Sequence, residues 1–139
     1  MPLGKAEELR QGSDVALFAI GATVYPALEA ADRLKADGIG CAVINSRFIK
    51  PLDEEMLSTY ASGARLLVTV EESMLQGGFG SAVLEYLQAA GCTTSLLRLG
   101  IPDTFVAQAT QKQQRALCGI DADGICAAVR AAFEKQSKP

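Results

Sequence analysis

Short apolar runs, each followed by residues at helical spacing, constrain the fold of this chain more than any other feature of its sequence. Val15 to Ile20 is apolar at every position and ends at Gly21. A run without polar alternation reads as a strand buried on both faces. Directly after it, Val24, Ala27, Leu28, Ala31 and Leu34 recur at the three-to-four spacing of a helix face. Thr23 is placed to cap that helix, and Pro26 falls in its first turn, where a missing N–H costs little. Gly38 stands where a left-handed C-cap favours glycine.

The switch of period then repeats. Ile39 to Ile44 reads as a second buried strand. Pro51-Leu52-Asp53 opens a short helix with Asp53 as its cap and Glu54 and Glu55 in the first turn, where the dipole favours anions; Gly63 stops it. Arg65 to Val70 reads as a third strand. Gly77-Gly78-Phe79-Gly80 leads into a helix with Ala82, Val83, Tyr86, Leu87 and Ala90 inward, closed by Gly91. Ser95 to Leu99 is a fourth strand, and Gly100-Ile101-Pro102-Asp103 turns the chain. After a polar stretch, Gln108 to Arg115, a last helix starts near Asp121 with Ile125, Ala128, Val129, Ala132 and Phe133 on one face. Strands joined by helix-length crossovers form parallel pairs, so the architecture expected is a three-layer α/β/α sandwich. Lys5 to Leu9 fits either a short edge strand or an N-terminal arm.

At 139 residues this is one domain with room for a real core. The chain contains no histidine, which removes the commonest general base and zinc ligand. Thirteen basic residues face sixteen acidic ones, for a net charge of −3, so no nucleic-acid footprint is expected. No apolar run approaches the ~18 residues of a membrane span, and Met1 to Arg10 lacks a signal-peptide core. Cys41, Cys92, Cys118 and Cys126 are widely spaced, with no C-x-x-C pair. They read as small apolar residues in a reducing cytoplasm rather than as metal ligands.

Three places at the carboxyl ends of the strands carry polar groups worth weighing. Gly77, Gly78 and Gly80 precede a helix, where backbone N–H groups can cradle an anion. The turn lacks both the G-K-(S/T) ending and the G-x-G-x-x-G spacing, and tight packing of a strand-to-helix turn explains the glycines equally well. Glu71 and Glu72 end the third strand. Adjacent strand residues point to opposite faces, so they do not form an acid/base pair; one can cap a helix or pair with Arg47 or Arg98. Arg47 can clamp a carboxylate or phosphate, hold a loop, or meet a partner subunit, with Asn45 and Ser46 tying down the loop beside it. Asp103 resembles turn chemistry. No residue stands out as catalytic.

The same segments carry a resemblance. Asn45-Ser46-Arg47-Phe48-Ile49-Lys50-Pro51-Leu52-Asp53 resembles the N-x-R-F-(V/I)-K-P-L-D segment of transketolase C-terminal domains, in the version found in 1-deoxy-D-xylulose-5-phosphate synthases. Leu67 to Glu72, followed by Gly77 to Glu85, resembles the next block. Arg98-Leu99-Gly100-Ile101-Pro102-Asp103 with Phe105, and Gly119 to Ile125, extend it. The order holds from about Gly4 to Phe133. The β subunits of 2-oxoacid dehydrogenases, whose tails dock an acyltransferase, and transketolase proper share parts of this text and rank behind. One departure stands after Phe105, where the synthases read (I/V)-E-H-G-(S/T) and this chain has Val106-Ala107-Gln108-Ala109-Thr110; Gln108 occupies the histidine position.

The resemblance implies a five-stranded, mostly parallel sheet whose first strand is an antiparallel edge, which makes Lys5 to Leu9 that strand. It implies that residues 1–139 are the third domain of a larger cytoplasmic, homodimeric transferase. That enzyme uses thiamine diphosphate and Mg2+ to join pyruvate to glyceraldehyde 3-phosphate with loss of carbon dioxide, and its product feeds isoprenoid, thiamine and pyridoxal synthesis. The cofactor segments of the first two domains are missing here. The fragment is therefore expected to be inactive alone, to bind no cofactor, metal, nucleic acid or membrane, and to meet the other domains through Arg47, Glu71 and Glu72.

Overall fold

The computed structural model describes residues 4–47, 52–74, 78–101 and 119–137. Phe48 to Pro51, Gly77, Pro102, Asp103, Gln108 and Cys118 lie outside them. Five strands form one sheet in the order β1-β3-β2-β4-β5: β1 (Glu7–Arg10), β2 (Val15–Ala19), β3 (Cys41–Asn45), β4 (Leu66–Met74) and β5 (Ser95–Ile101). β1 runs antiparallel to β3, and every other pair is parallel. The antiparallel edge strand expected from the resemblance is in place.

Alternation along the strands divides the core. Val15, Leu17, Val43, Val68 and Val70 face α1 (Val24–Ala36) and α4 (Ala122–Ser137). Ala16, Phe18, Ile44 and Leu67 face α2 (Glu54–Gly63) and α3 (Phe79–Ala89). β2 is buried at every position because both faces are covered, which is why its sequence shows no alternation. The architecture is the expected three-layer sandwich.

Local sequence signals explain most helix ends. Gly38 takes φ +80°; its N–H reaches Lys35 O and the Ile39 N–H reaches Leu34 O, both at 3.0 Å, closing α1 by the paired bonds of a Schellman cap. Gly91, at φ +73°, does the same for α3. Asp53 caps α2 by accepting the Met56 N–H at 3.1 Å, an interaction worth about 1 kcal/mol. Its second oxygen accepts the Ala6 N–H at 2.8 Å, so the same carboxylate ties the start of β1 to α2. Asp121 caps α4 through the Gly124 N–H at 2.8 Å.

Several expectations are corrected. β4 continues past Val70 to Met74, and β5 continues through Gly100 and Ile101, where a turn was expected. β3 starts at Cys41 rather than Ile39, and Ala90 is exposed because α3 has ended. Thr23 does not cap α1. Its hydroxyl is buried and lies 2.8 Å from Ile20 O and 2.9 Å from Val70 O, while accepting the Ile20 N–H at 3.1 Å. The partner it prefers is 47 residues away in β4, which local capping rules do not see.

Candidate functional site

The strand order reverses around β2, whose neighbours β3 and β4 lie on opposite sides. In open α/β sheets, ligands settle outside the carboxyl ends of the strands at such a reversal. Here the single turn of 3-10 helix Gly21–Thr23 crosses from β2 to the end of β4. Thr23 and the Ile20 N–H both bond Val70 O, so the chain's own backbone occupies that position.

Glu71 is the main feature of this edge. Its side chain is fully buried, on the α2/α3 face of β4. One carboxylate oxygen accepts the Phe79 N–H at 2.6 Å and the other the Gly80 N–H at 2.9 Å. These are among the four amides a helix leaves unpaired at its start, and the positive end of the dipole favours an anion there. The N-cap residue, Gly78, has no side chain to supply one. The carboxylate therefore comes from the sheet, eight residues back, and joins α3 to β4. The anion held at this helix start is internal to the chain. Glu71 does not pair with Arg47 or Arg98.

Gly80 permits the closeness. A Cβ there would lie 2.8 Å from Thr69 Oγ1 and 3.2 Å from Arg98 Cδ. Arg98 reaches over the helix start to Ser81 Oγ at 3.3 Å. Among the described residues, the buried Thr69 Oγ1 and Ser46 Oγ have no hydrogen-bond partner, so the Ser46 hydroxyl makes none of the local bonds expected of it there.

Arg47 follows β3 with φ +58°, the left-handed region that side chains with a Cβ rarely occupy. Its guanidinium pairs with Glu7 of β1, a partner the sequence did not suggest. Glu72, in the stretch of β4 where the register with β5 shifts, is half-buried. The structure thus brings Glu71, Gly78 and Gly80 together and leaves Arg47 on the opposite side of the sheet's midline, beside β1.

No group of His, Cys, Asp or Glu among the described residues is arranged to hold a metal ion. Cys41 and Cys126 are buried. Burial, with Cys126 nearby, pushes the Cys41 thiol up to about 12, and burial raises Cys126 as well. Both are neutral packing groups, as the sequence suggested, while Cys92 is partly exposed. Among the described residues, no helix is long and apolar enough to cross a membrane.

Comparison with known proteins follows the same line. The chain is 53% identical over 131 residues to 1-deoxy-D-xylulose-5-phosphate synthase 1 of Geobacter metallireducens, covering 94% of this chain and 21% of that protein. It is 54% identical over 125 residues to the Thermomicrobium roseum synthase, covering 90% and 20%. The chain spans about a fifth of the length of these curated relatives. Among solved structures, a split-gene transketolase described as an inactive β4 tetramer superimposes with a TM-score of 0.88 at 34% identity, covering 96% of this chain and 44% of that one. A Pichia stipitis transketolase shares the fold, with a TM-score of 0.66 at 22% identity over 96% of this chain and 19% of that one. The family described as "Transketolase, C-terminal domain" matches residues 4–125. The chain belongs to that family.

Proposed function

We propose that this chain is the C-terminal domain of a 1-deoxy-D-xylulose-5-phosphate synthase, serving to assemble and position the rest of a cytoplasmic, homodimeric enzyme. The observation that carries this reading is identity near one half, across nearly the whole chain, to proteins of that name of which it matches about a fifth. The whole enzyme would condense pyruvate with glyceraldehyde 3-phosphate and release carbon dioxide. Thiamine diphosphate with Mg2+ would supply the carbanion chemistry, held by the other four-fifths of the polypeptide.

The described residues of this chain do not fit that cofactor. The helix start best placed to receive a diphosphate, at α3, already binds the Glu71 carboxylate. The switch-point position is filled by Thr23. The glycine turn accordingly serves close packing, and free phosphate would have to compete with Glu71.

Strand direction supports an interdomain role for the carboxyl edge. β1 is antiparallel, so residues ahead of Glu7 arrive at the carboxyl ends of β2, β3 and β4, where Arg47 and Glu72 also lie. Preceding domains would emerge on this side. Arg47, steadied by Glu7, and Glu72 would face them, while Glu71 would act from beneath by fixing the start of α3.

Isothermal titration of the 139-residue chain with thiamine diphosphate and Mg2+ tests the reading. No heat of binding is expected, whereas the intact enzyme should bind. Tight binding by the chain alone would overturn it.

A further inference from the structure

The α2/α3 face holds an open cleft of about 650 Å³ whose floor and rim disagree in character. Ala82, Glu85, Tyr86 and Ala89 line it from α3, at the spacing of one helix face. Leu52 and the first turn of α2 form the other wall, and Gly4 and Lys5 close one end. The floor is apolar. The rim carries Glu54, Glu55 and Glu85, all exposed, and beside them the capping carboxylate of Asp53, against one cation, Lys5, which Glu55 engages at 3.4 Å.

Glu54 and Glu55 are explained by the start of α2, where acidic residues favour the helix dipole. Glu85 is not. It sits in the middle of α3, lines the same cleft as three other carboxylates, Asp53, Glu54 and Glu55, and has no cationic partner among the described residues. Like charges gathered on one cleft destabilise a chain on its own. An apolar floor under an acidic rim is complementary to a partner that brings an apolar side chain and positive charge. The arrival of β1 from the carboxyl edge puts Gly4 and Lys5 on this rim, the side from which the preceding domains of a larger enzyme would join the chain.

We propose that the cleft between α2 and α3 docks a basic segment of the preceding domains, with an apolar side chain against Ala82 and Tyr86 and Lys or Arg side chains against Glu54 and Glu85. This inference rests on the reading that the chain is part of a larger synthase. The complementarity would set registry between domains more than raw affinity, as charged rims do.

Carboxyl-group footprinting with a carbodiimide and glycine ethyl ester tests it, applied to the full-length enzyme and to the 139-residue chain. Glu54, Glu55 and Glu85 should label at least about fivefold more slowly in the enzyme, while exposed Glu134 on α4 labels equally in both. Adding E54K/E85K to the enzyme should remove most of the protection of Glu55. Equal labelling of all three rim carboxylates in enzyme and chain would overturn the proposal. So would protection of Glu55 that survives E54K/E85K, since the occupant would not be basic. Zero-length links from these carboxylates to lysines of a second subunit, seen with mixed isotope-labelled enzyme, would reassign the occupant to the partner copy and also overturn it. None of these outcomes depends on whether the chain binds thiamine diphosphate, so the two readings fail separately.

Discussion

The buried carboxylate of Glu71 offers the sharpest test of how this edge is held. Its two oxygens accept the Phe79 and Gly80 amides at 2.6 and 2.9 Å, and no other side chain among the described residues caps this helix start. Glu71→Gln keeps the volume and one acceptor but removes the charge and turns an amide NH2 toward a backbone N–H. Hydrogen bonds to a charged group are worth about 1.5–3 kcal/mol each, and leaving a buried donor unpaired costs about 1–3 kcal/mol. The two amides share one carboxylate, so the losses overlap, and about 2–4 kcal/mol is expected for the exchange. Urea unfolding of the 139-residue chain is the assay. With a slope of roughly 1.5–2 kcal/mol per molar, the midpoint should fall by about 1–2 M while the slope stays unchanged. Glu71→Leu, which leaves both amides unpaired, should cost at least as much, and exposed Glu85→Gln should stay within about 0.5 kcal/mol. A Glu71→Gln shift below about 0.5 kcal/mol, with the chain folded, would refute the reasoning and mean that solvent serves the helix start equally well.

Three further outcomes follow from the same structure. Gly80→Ala should destabilise by about 1–3 kcal/mol, because its Cβ would meet Thr69 Oγ1 at 2.8 Å, and Thr69→Ala in the same chain should restore part of that loss in a double-mutant cycle. Arg47→Gly should match or exceed the wild-type chain in thermal stability, since glycine relieves φ +58° at the loss of one partly exposed ion pair, whereas Arg47→Ala keeps the backbone cost; a Gly variant less stable than the Ala variant would be the contrary result. The Cys41 thiol is raised on folding to about 12, so the folded state binds the extra proton above the ordinary thiol range. Stability is then whole below pH ~8.5, falls as pH rises toward 12 at up to about 1.4 kcal/mol per unit, and Cys41→Ala should flatten that slope in pH-dependent unfolding.

How much of this was legible in the sequence depends on how far each residue looks for its partner. Gly38 and the capping oxygen of Asp53 act within five residues along the chain, so those roles are readable locally, while the second Asp53 oxygen, on Ala6, is not. β2 could be read as doubly buried because every position is apolar. Thr23 looked like a helix cap and is instead bonded to Val70, because a buried hydroxyl takes the acceptor that tertiary packing supplies. The sequence shows that one of Glu71 and Glu72 can cap a helix or pair with an arginine, and which one does so depends on the face of β4. The signal available was the glycine at the N-cap, a helix start with no local acceptor. Arg47 pairs with Glu7 across two strands that are far apart in sequence, and nothing short of the β1–β3 register brings them together. The cleft on α2 and α3 had no motif at all, because it is made by the spacing of two helices.

The turn that Thr23 fastens to β4 has a practical consequence for chemical probes of this domain. In doubly wound folds the crevice outside the carboxyl ends of the strands is the place a small molecule would be expected to bind. Here a fragment would first have to break the Thr23 and Ile20 bonds to Val70, and would gain little that the displaced backbone did not already have. Such hits should be weak and slow to bind. The productive surface for an inhibitor of domain assembly is the outward cleft, where nothing of the domain's own needs to be evicted.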